Sequence, residues 1–126
     1  MDKVINLAVI RNRRLFFVKK KGIWVLPGGR LRGNENYEEC LRREIQHNLG
    51  TIPVVGDYYG DFSGRIHHGK DFVKVRVYFG SFEEIPEPRG EIKEARELGY
   101  ISYEKSRLSN ITRNIVLQLR KDDYIR

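Results

Sequence analysis

The stretch GRLRGNENYEECLRREIQHNLGT, residues 29–51, runs from a glycine-rich turn into a helix and stops at another glycine. Gly29 and Gly33, with Pro27 and Gly28 just ahead of them, mark a loop that needs unusual backbone angles or a close neighbour. Asn34 or Asn36 can cap the helix, and Glu38 and Glu39 suit its positive end. Tyr37, Cys40, Leu41, Ile45 and Leu49 recur at helical spacing, and Gly50 is the stop signal. The spacing predicts one amphipathic helix over 37–49. Its polar face carries Glu44, His47 and Asn48 at i, i+3 and i+4, so a carboxylate, an imidazole and an amide share one side.

Residue types alone leave three readings of that trio open: a metal site, a metal site taken apart, or a solvated helix end. A lone histidine is more often a surface residue than a ligand. Asn48, two residues before Gly50, is accounted for by ending the helix.

The register of the stretch resembles the NUDIX box, G-x5-E-x7-R-E-U-x-E-E-x-G-U, where U is bulky and apolar. Gly29, Glu35, Arg43, Glu44, Ile45 and Gly50 fall in step with it, and WVLPGG (24–29) is similar to the usual lead-in. The resemblance implies a single domain over 1–126, an α/β/α sandwich with a mixed β-sheet between the box helix and the C-terminal helix. It also implies hydrolysis of a pyrophosphate in a nucleoside-diphosphate-linked substrate. Water attacks phosphorus in such reactions, and a divalent metal neutralises the phosphate oxygens and polarises the water. The implied cofactor is Mg²⁺ or Mn²⁺.

Carried over residue by residue, the resemblance makes Glu44 a metal ligand or base and the Gly29 carbonyl a further ligand. Arg43 orients the cluster by pairing with Glu35. Gly28 and Gly50 shape the loop and the helix end. A later acid belongs before a late strand, where Glu91 and Glu94 lie in RGEIKEARELGYIS (89–102). The pattern's two remaining glutamates are absent: His47 and Asn48 stand in their places, and Thr51 replaces an apolar residue. An amide oxygen binds Mg²⁺ weakly, and imidazole suits Mn²⁺ or Zn²⁺ better. The chain is then either of two things, the first being the expectation because the family it resembles is overwhelmingly enzymatic. One is a hydrolase with a retuned site built from Gly29, Glu44, His47 and Asn48. The other is a catalytically impaired domain that binds a nucleotide or RNA. Glu44, His47 and Asn48 are expected to face one cleft beside the Gly28–Gly29 loop, and both readings require Glu44 to do so.

Around the box, strands are expected at 4–10, 15–20 and 23–26, then at 53–62 and 71–82 on either side of SGRIHHGK (63–70), and at 98–103. Residues 27–35 read as breaking all regular structure. SNITRNIVLQLRK (109–121) reads as a closing amphipathic helix. The adjacent His67 and His68 read as surface residues. The single Cys40 excludes an internal disulfide and a cysteine-built zinc site. With no disulfide framework and no stretch long enough to span a membrane, the expected location is cytoplasmic.

The net charge of +7 is uneven. Residues 1–33 carry nine Lys and Arg against one Asp, which points to a polyanionic partner or, more plainly, a solvated surface. Arg11, in the first turn with Arg13 and Arg14, is a candidate phosphate contact. Tyr59 and Phe72, like Trp24 and Tyr58, are candidates for stacking on a base, with core packing as the competing reading. Dimers are common among proteins resembling this one, so a homodimer is an expected assembly.

Overall fold

The computed structural model describes residues 2–65, 72–99 and 107–126. Seven strands and two helices succeed one another: β1 (Asp2–Arg11), β2 (Arg14–Lys20), β3 (Ile23–Val25), β4 (Gly28–Arg30), α1 (Tyr37–Leu49), β5 (Pro53–Arg65), β6 (Phe72–Phe82), β7 (Ile92–Leu98) and α2 (Asn110–Lys121).

β1 belongs to two sheets. It runs parallel to β6 from Asp2↔Val73 to Val9↔Gly80, and antiparallel to β4 on its other side. Its last residues turn through Asn12 and Arg13, both in the left-handed region that a tight hairpin needs, and pair with β2. One sheet is therefore mixed, in the order β4-β1-β6-β5. The other is antiparallel, with β2 between β3 and β7.

Strand alternation divides the apolar residues between two cores. On one side Ile5, Leu7, Phe16, Val18 and Tyr78 pack under Cys40, Leu41, Ile45 and Leu49 of α1. On the other, Ala8, Leu15, Phe17, Val73, Val75 and Val77 pack under Ile111, Ile115, Val116 and Leu119 of α2. The result is the expected sandwich, a mixed sheet with a helix on each side. Gly64 lets α2 lie close to β5: a Cβ there would sit 2.9 Å from Ile111. No helix among the described residues is long and apolar enough to cross a membrane.

One sequence expectation needs correction, and one strand lies where none is expected. Residues 27–35 are not all irregular, because Gly28–Arg30 pairs with Val4, Ile5 and Asn6 of β1. Glycine has no strand preference of its own, so the partner strand rather than local propensity sets this element. Overlapping the expected 98–103 only at Leu98, a strand that the sequence pattern does not suggest lies at Ile92–Leu98 and is hydrogen-bonded to β2. Its four charged residues in IKEAREL hide the strand pattern, and three of them form ion pairs with β1, with β2 or within β7. The expected residues 100–103, and His67 and His68, lie outside the described residues.

Candidate active site

α1 starts at a capping box. The Asn36 side chain accepts from the Glu39 N–H at 2.8 Å, and the Glu39 carboxylate accepts from the Asn36 N–H at 2.9 Å. This fixes where the chain enters the helix at Asn36 and brings Glu35, just ahead of the cap, beside Arg43 two turns on. The Arg43 guanidinium forks onto Glu35, with Nε donating to Oε2 at 2.9 Å and Nη2 to Oε1 at 2.6 Å. Nη2 also donates to the Arg30 carbonyl at 2.9 Å, and Nη1 to Glu44 Oε1 at 2.6 Å. Arg43 thus ties the loop, the β4 backbone and the polar face of α1 together. Its fork, aided by the Arg32 N–H, holds the Glu35 carboxyl down at about 2 against the opposing effect of burial.

Glu44 lies on Gly29. A side chain at Gly29 would overlap the Glu44 carboxyl, so the glycine makes room for the acid. Gly28 has φ +141°, and a Cβ there would run into the Ile5 carbonyl and Asn6 of β1. Beneath them Cys40 donates weakly toward the Gly29 and Arg30 carbonyls at 3.5 Å, and burial pushes its thiol up to about 11. It is a packing residue, not a nucleophile.

At the end of the helix, Asn48 donates Nδ2 to Glu44 Oε2 at 3.2 Å. His47 is exposed, with its ring turned toward Gly90. The 83–91 loop straps the helix terminus: the Glu87 and Arg89 N–H groups donate to the Leu49 and Asn48 carbonyls, each at 2.8 Å. The Arg89 guanidinium covers Gly50, the left-handed cap residue. Glu91 is ion-paired to Lys20 at 3.0 Å, which holds its carboxyl below the ordinary range.

These residues do not fit a preformed divalent-metal site. Both Glu44 oxygens already accept a hydrogen bond, one from a cation and one from an amide. Glu35 is spent on Arg43 and Glu91 on Lys20. Among the described residues no three His, Cys, Asp or Glu side chains come within reach of one ion.

The structure brings Gly28, Gly29, Glu35, Arg43, Glu44 and Asn48 together, with His47, Gly50 and Glu91 at the helix end. It sets the other candidates apart. Arg11 pairs with Glu97 at 3.0 Å on the β1–β2 hairpin. Tyr59 faces the α2 side, packs on Phe62, Phe79 and Tyr124, and donates its hydroxyl to Asp122 at 2.7 Å. Phe72 lies at the start of β6 under Arg65. The sequence alone does not single out Arg89, since nothing in an irregular proline-bearing loop reveals that it folds back over a helix end.

The NUDIX domain family model matches residues 2–119. Solved structures similar to this chain include the MutT protein of Methanosarcina mazei Go1, with a TM-score of 0.82, 16% identity, and coverage of 97% of this chain and 94% of that one. Another is a MutT NUDIX hydrolase from Burkholderia pseudomallei, with a TM-score of 0.79, 21% identity, and coverage of 94% and 97%. A third is a NUDIX hydrolase from Nitrosomonas europaea, with a TM-score of 0.81, 10% identity, and coverage of 98% and 91%. No curated protein matches. A box in register, a sandwich of matching topology and a family match over nearly the whole length lead to one conclusion: the chain belongs to the NUDIX domain family.

Proposed function

We propose that this chain recognises a nucleoside-diphosphate-linked ligand beside Gly28–Gly29 and has given up most metal-assisted hydrolysis. One observation carries the reading: both oxygens of Glu44 are satisfied within the protein, by Arg43 and Asn48. A carboxylate so engaged has no free oxygen to offer a cation. The frame around it is kept. Arg43 still links Glu35, Glu44 and the β4 backbone, and Gly29 still makes room for the Glu44 carboxyl.

A slow hydrolase dependent on Mg²⁺ or Mn²⁺ is the second reading. It is favoured by Glu44 keeping its place against Gly29, with His47 and Glu91 close by at the helix end.

A pyrophosphohydrolase screen separates the two. Nucleoside triphosphates, ADP-ribose, dinucleoside polyphosphates and capped RNA are each offered with Mg²⁺ or Mn²⁺, and binding is read from the shift in melting temperature. The expected result is a ligand-dependent rise in melting temperature with little turnover. Rapid turnover that disappears in Glu44→Gln would establish the hydrolase instead. Neither turnover nor a shift with any ligand would overturn both readings.

A further inference from the structure

We propose that the uncovered part of the mixed sheet, on the α1 side, binds single-stranded RNA. This surface is built from different strands and side chains than the Glu44 cluster and does not depend on the diphosphate reading.

Register places the residues. On β6, Phe72, Lys74, Arg76 and Tyr78 alternate with Val73, Val75 and Val77, which are buried under α2, so the first set faces the α1 side. Antiparallel pairing sets Arg65, Ser63, Asp61 and Tyr58 of β5 opposite them. Parallel pairing sets Lys3 of β1 beside Lys74. α1 covers only part of this face. Tyr37, its first residue, stacks on Tyr78 at 4.2 Å between centroids, and beyond that pair the side chains are open to solvent. Tyr58 is 52% exposed and Phe72 48%.

These two rings lie roughly 20 Å apart along β6 at ~3.3 Å per residue. Each lies under a guanidinium, Arg76 over Tyr58 and Arg65 over Phe72, both at 5.4 Å. Between the rings stand Lys3, Lys74 and one carboxylate, Asp61, which is shared by Lys74 at 3.4 Å and Arg76 at 3.0 Å. Among the described residues, the four cations against one acid leave this face net positive.

Charges alone would be accounted for as protection of the β5 edge against unwanted strand pairing. Exposed rings interleaved with them defeat that purpose, because rings invite contact. Aromatic platforms among cations on an open sheet are what a single strand needs: a π-face for each base and a positive track for the phosphates. A second copy of the chain is a poor occupant, since a two-fold contact would set this positive face against itself. The exposed Ser63 hydroxyl, between Asp61 and Arg65 on the same face, supplies a hydrogen-bonding group for a ribose 2′-hydroxyl, which favours RNA over DNA.

The test is fluorescence anisotropy with a labelled short oligouridylate and a DNA of matching sequence, titrated at several salt concentrations. RNA is expected to bind more tightly than DNA, and more weakly as salt rises. The Tyr58→Ala/Phe72→Ala pair is expected to weaken binding about tenfold or more. The Lys3→Ala/Arg65→Ala pair is expected to lower the log–log salt slope by about 1.4, the share of two phosphate contacts on a single strand. Phe72, Lys3 and Arg65 lie outside both cores and Tyr58 meets one only at the Tyr78 ring edge, and circular dichroism verifies that each variant folds. Tyr58→Phe/Phe72→Tyr keeps both π-faces and should bind normally. Equal affinity for RNA and DNA would overturn the RNA assignment. Absent binding, or binding indifferent to both alanine pairs, would overturn the surface itself.

Discussion

Glu35 and Arg43 act as one unit, and the pH dependence of stability should report it. The Glu35 carboxyl titrates near 4.5 in an unfolded chain and at about 2 in the folded protein, chiefly through the Arg43 fork. A depressed carboxylate stabilises the fold above the unfolded value and loses that contribution as pH falls from about 4.5 to about 2. Urea midpoints measured across that range should therefore fall with acidification in the native chain. They should change less in Glu35→Gln, which is also less stable at neutral pH. A second prediction concerns the missing acids. His47→Glu with Asn48→Glu removes the amide that occupies Glu44 and returns two carboxylates to its helix face. Turnover with Mg²⁺ should rise about tenfold or more, read by phosphate release. No gain would mean that the substrate-recognising surface, and not the cation site, has changed. At this scale the sequence is legible where spacing decides contact: Glu35, Arg43 and Glu44 meet because seven residues of helix bring them round. It is not legible where a residue has two chemical faces. Asn48 can accept or donate, and only its neighbour at i−4 shows that it donates. Glu91 cannot be read as spent on Lys20, because that pairing arises from β7 lying against β2.

At the scale of the element, α1 is held at both ends by devices that can be removed singly. Asn36→Ala deletes the capping box acceptor and should cost about 1 kcal/mol in thermal or urea unfolding. Gly50→Ala puts a side chain on a residue at φ +66° and into the space that Arg89 occupies. The expected cost is larger, about 1–3 kcal/mol. Protease sensitivity within 83–91 should rise with it, because the displaced Arg89 releases the strap. A cost no greater than that of Asn36→Ala, with an unchanged cleavage pattern, would show that the strap holds independently of Gly50. Helices are legible because their period, caps and stop residues are written locally. β4 and β7 are not. One is a glycine pair made into a strand by β1, and the other is a run of charges paired in part with β1 and β2 once they lie alongside. In both cases the decisive information lies on another strand.

The whole molecule is two apolar layers sharing one set of strands, with β1 and β2 contributing side chains to both. Leu41→Ala under α1 and Ile115→Ala under α2 each empty a fully buried site and should each cost about 2–5 kcal/mol. Because the layers share strands, both variants should still unfold in one step by fluorescence and by circular dichroism. Two separated transitions would mean that the layers are independent. The sandwich is legible from the order of strands and helices, whereas the parallel pairing of β1 with β6 carries no local signature.

That pairing bears on how the chain is made. β1 is synthesised before the other described strands, yet its neighbour β6 lies about seventy residues later. At ~5–20 residues per second, the apolar run VINLAVI waits roughly 4 to 14 seconds for its partner strand. During translation the cell must keep one sticky segment company for that long, so the chain's vulnerability is set by a delay that its finished shape conceals.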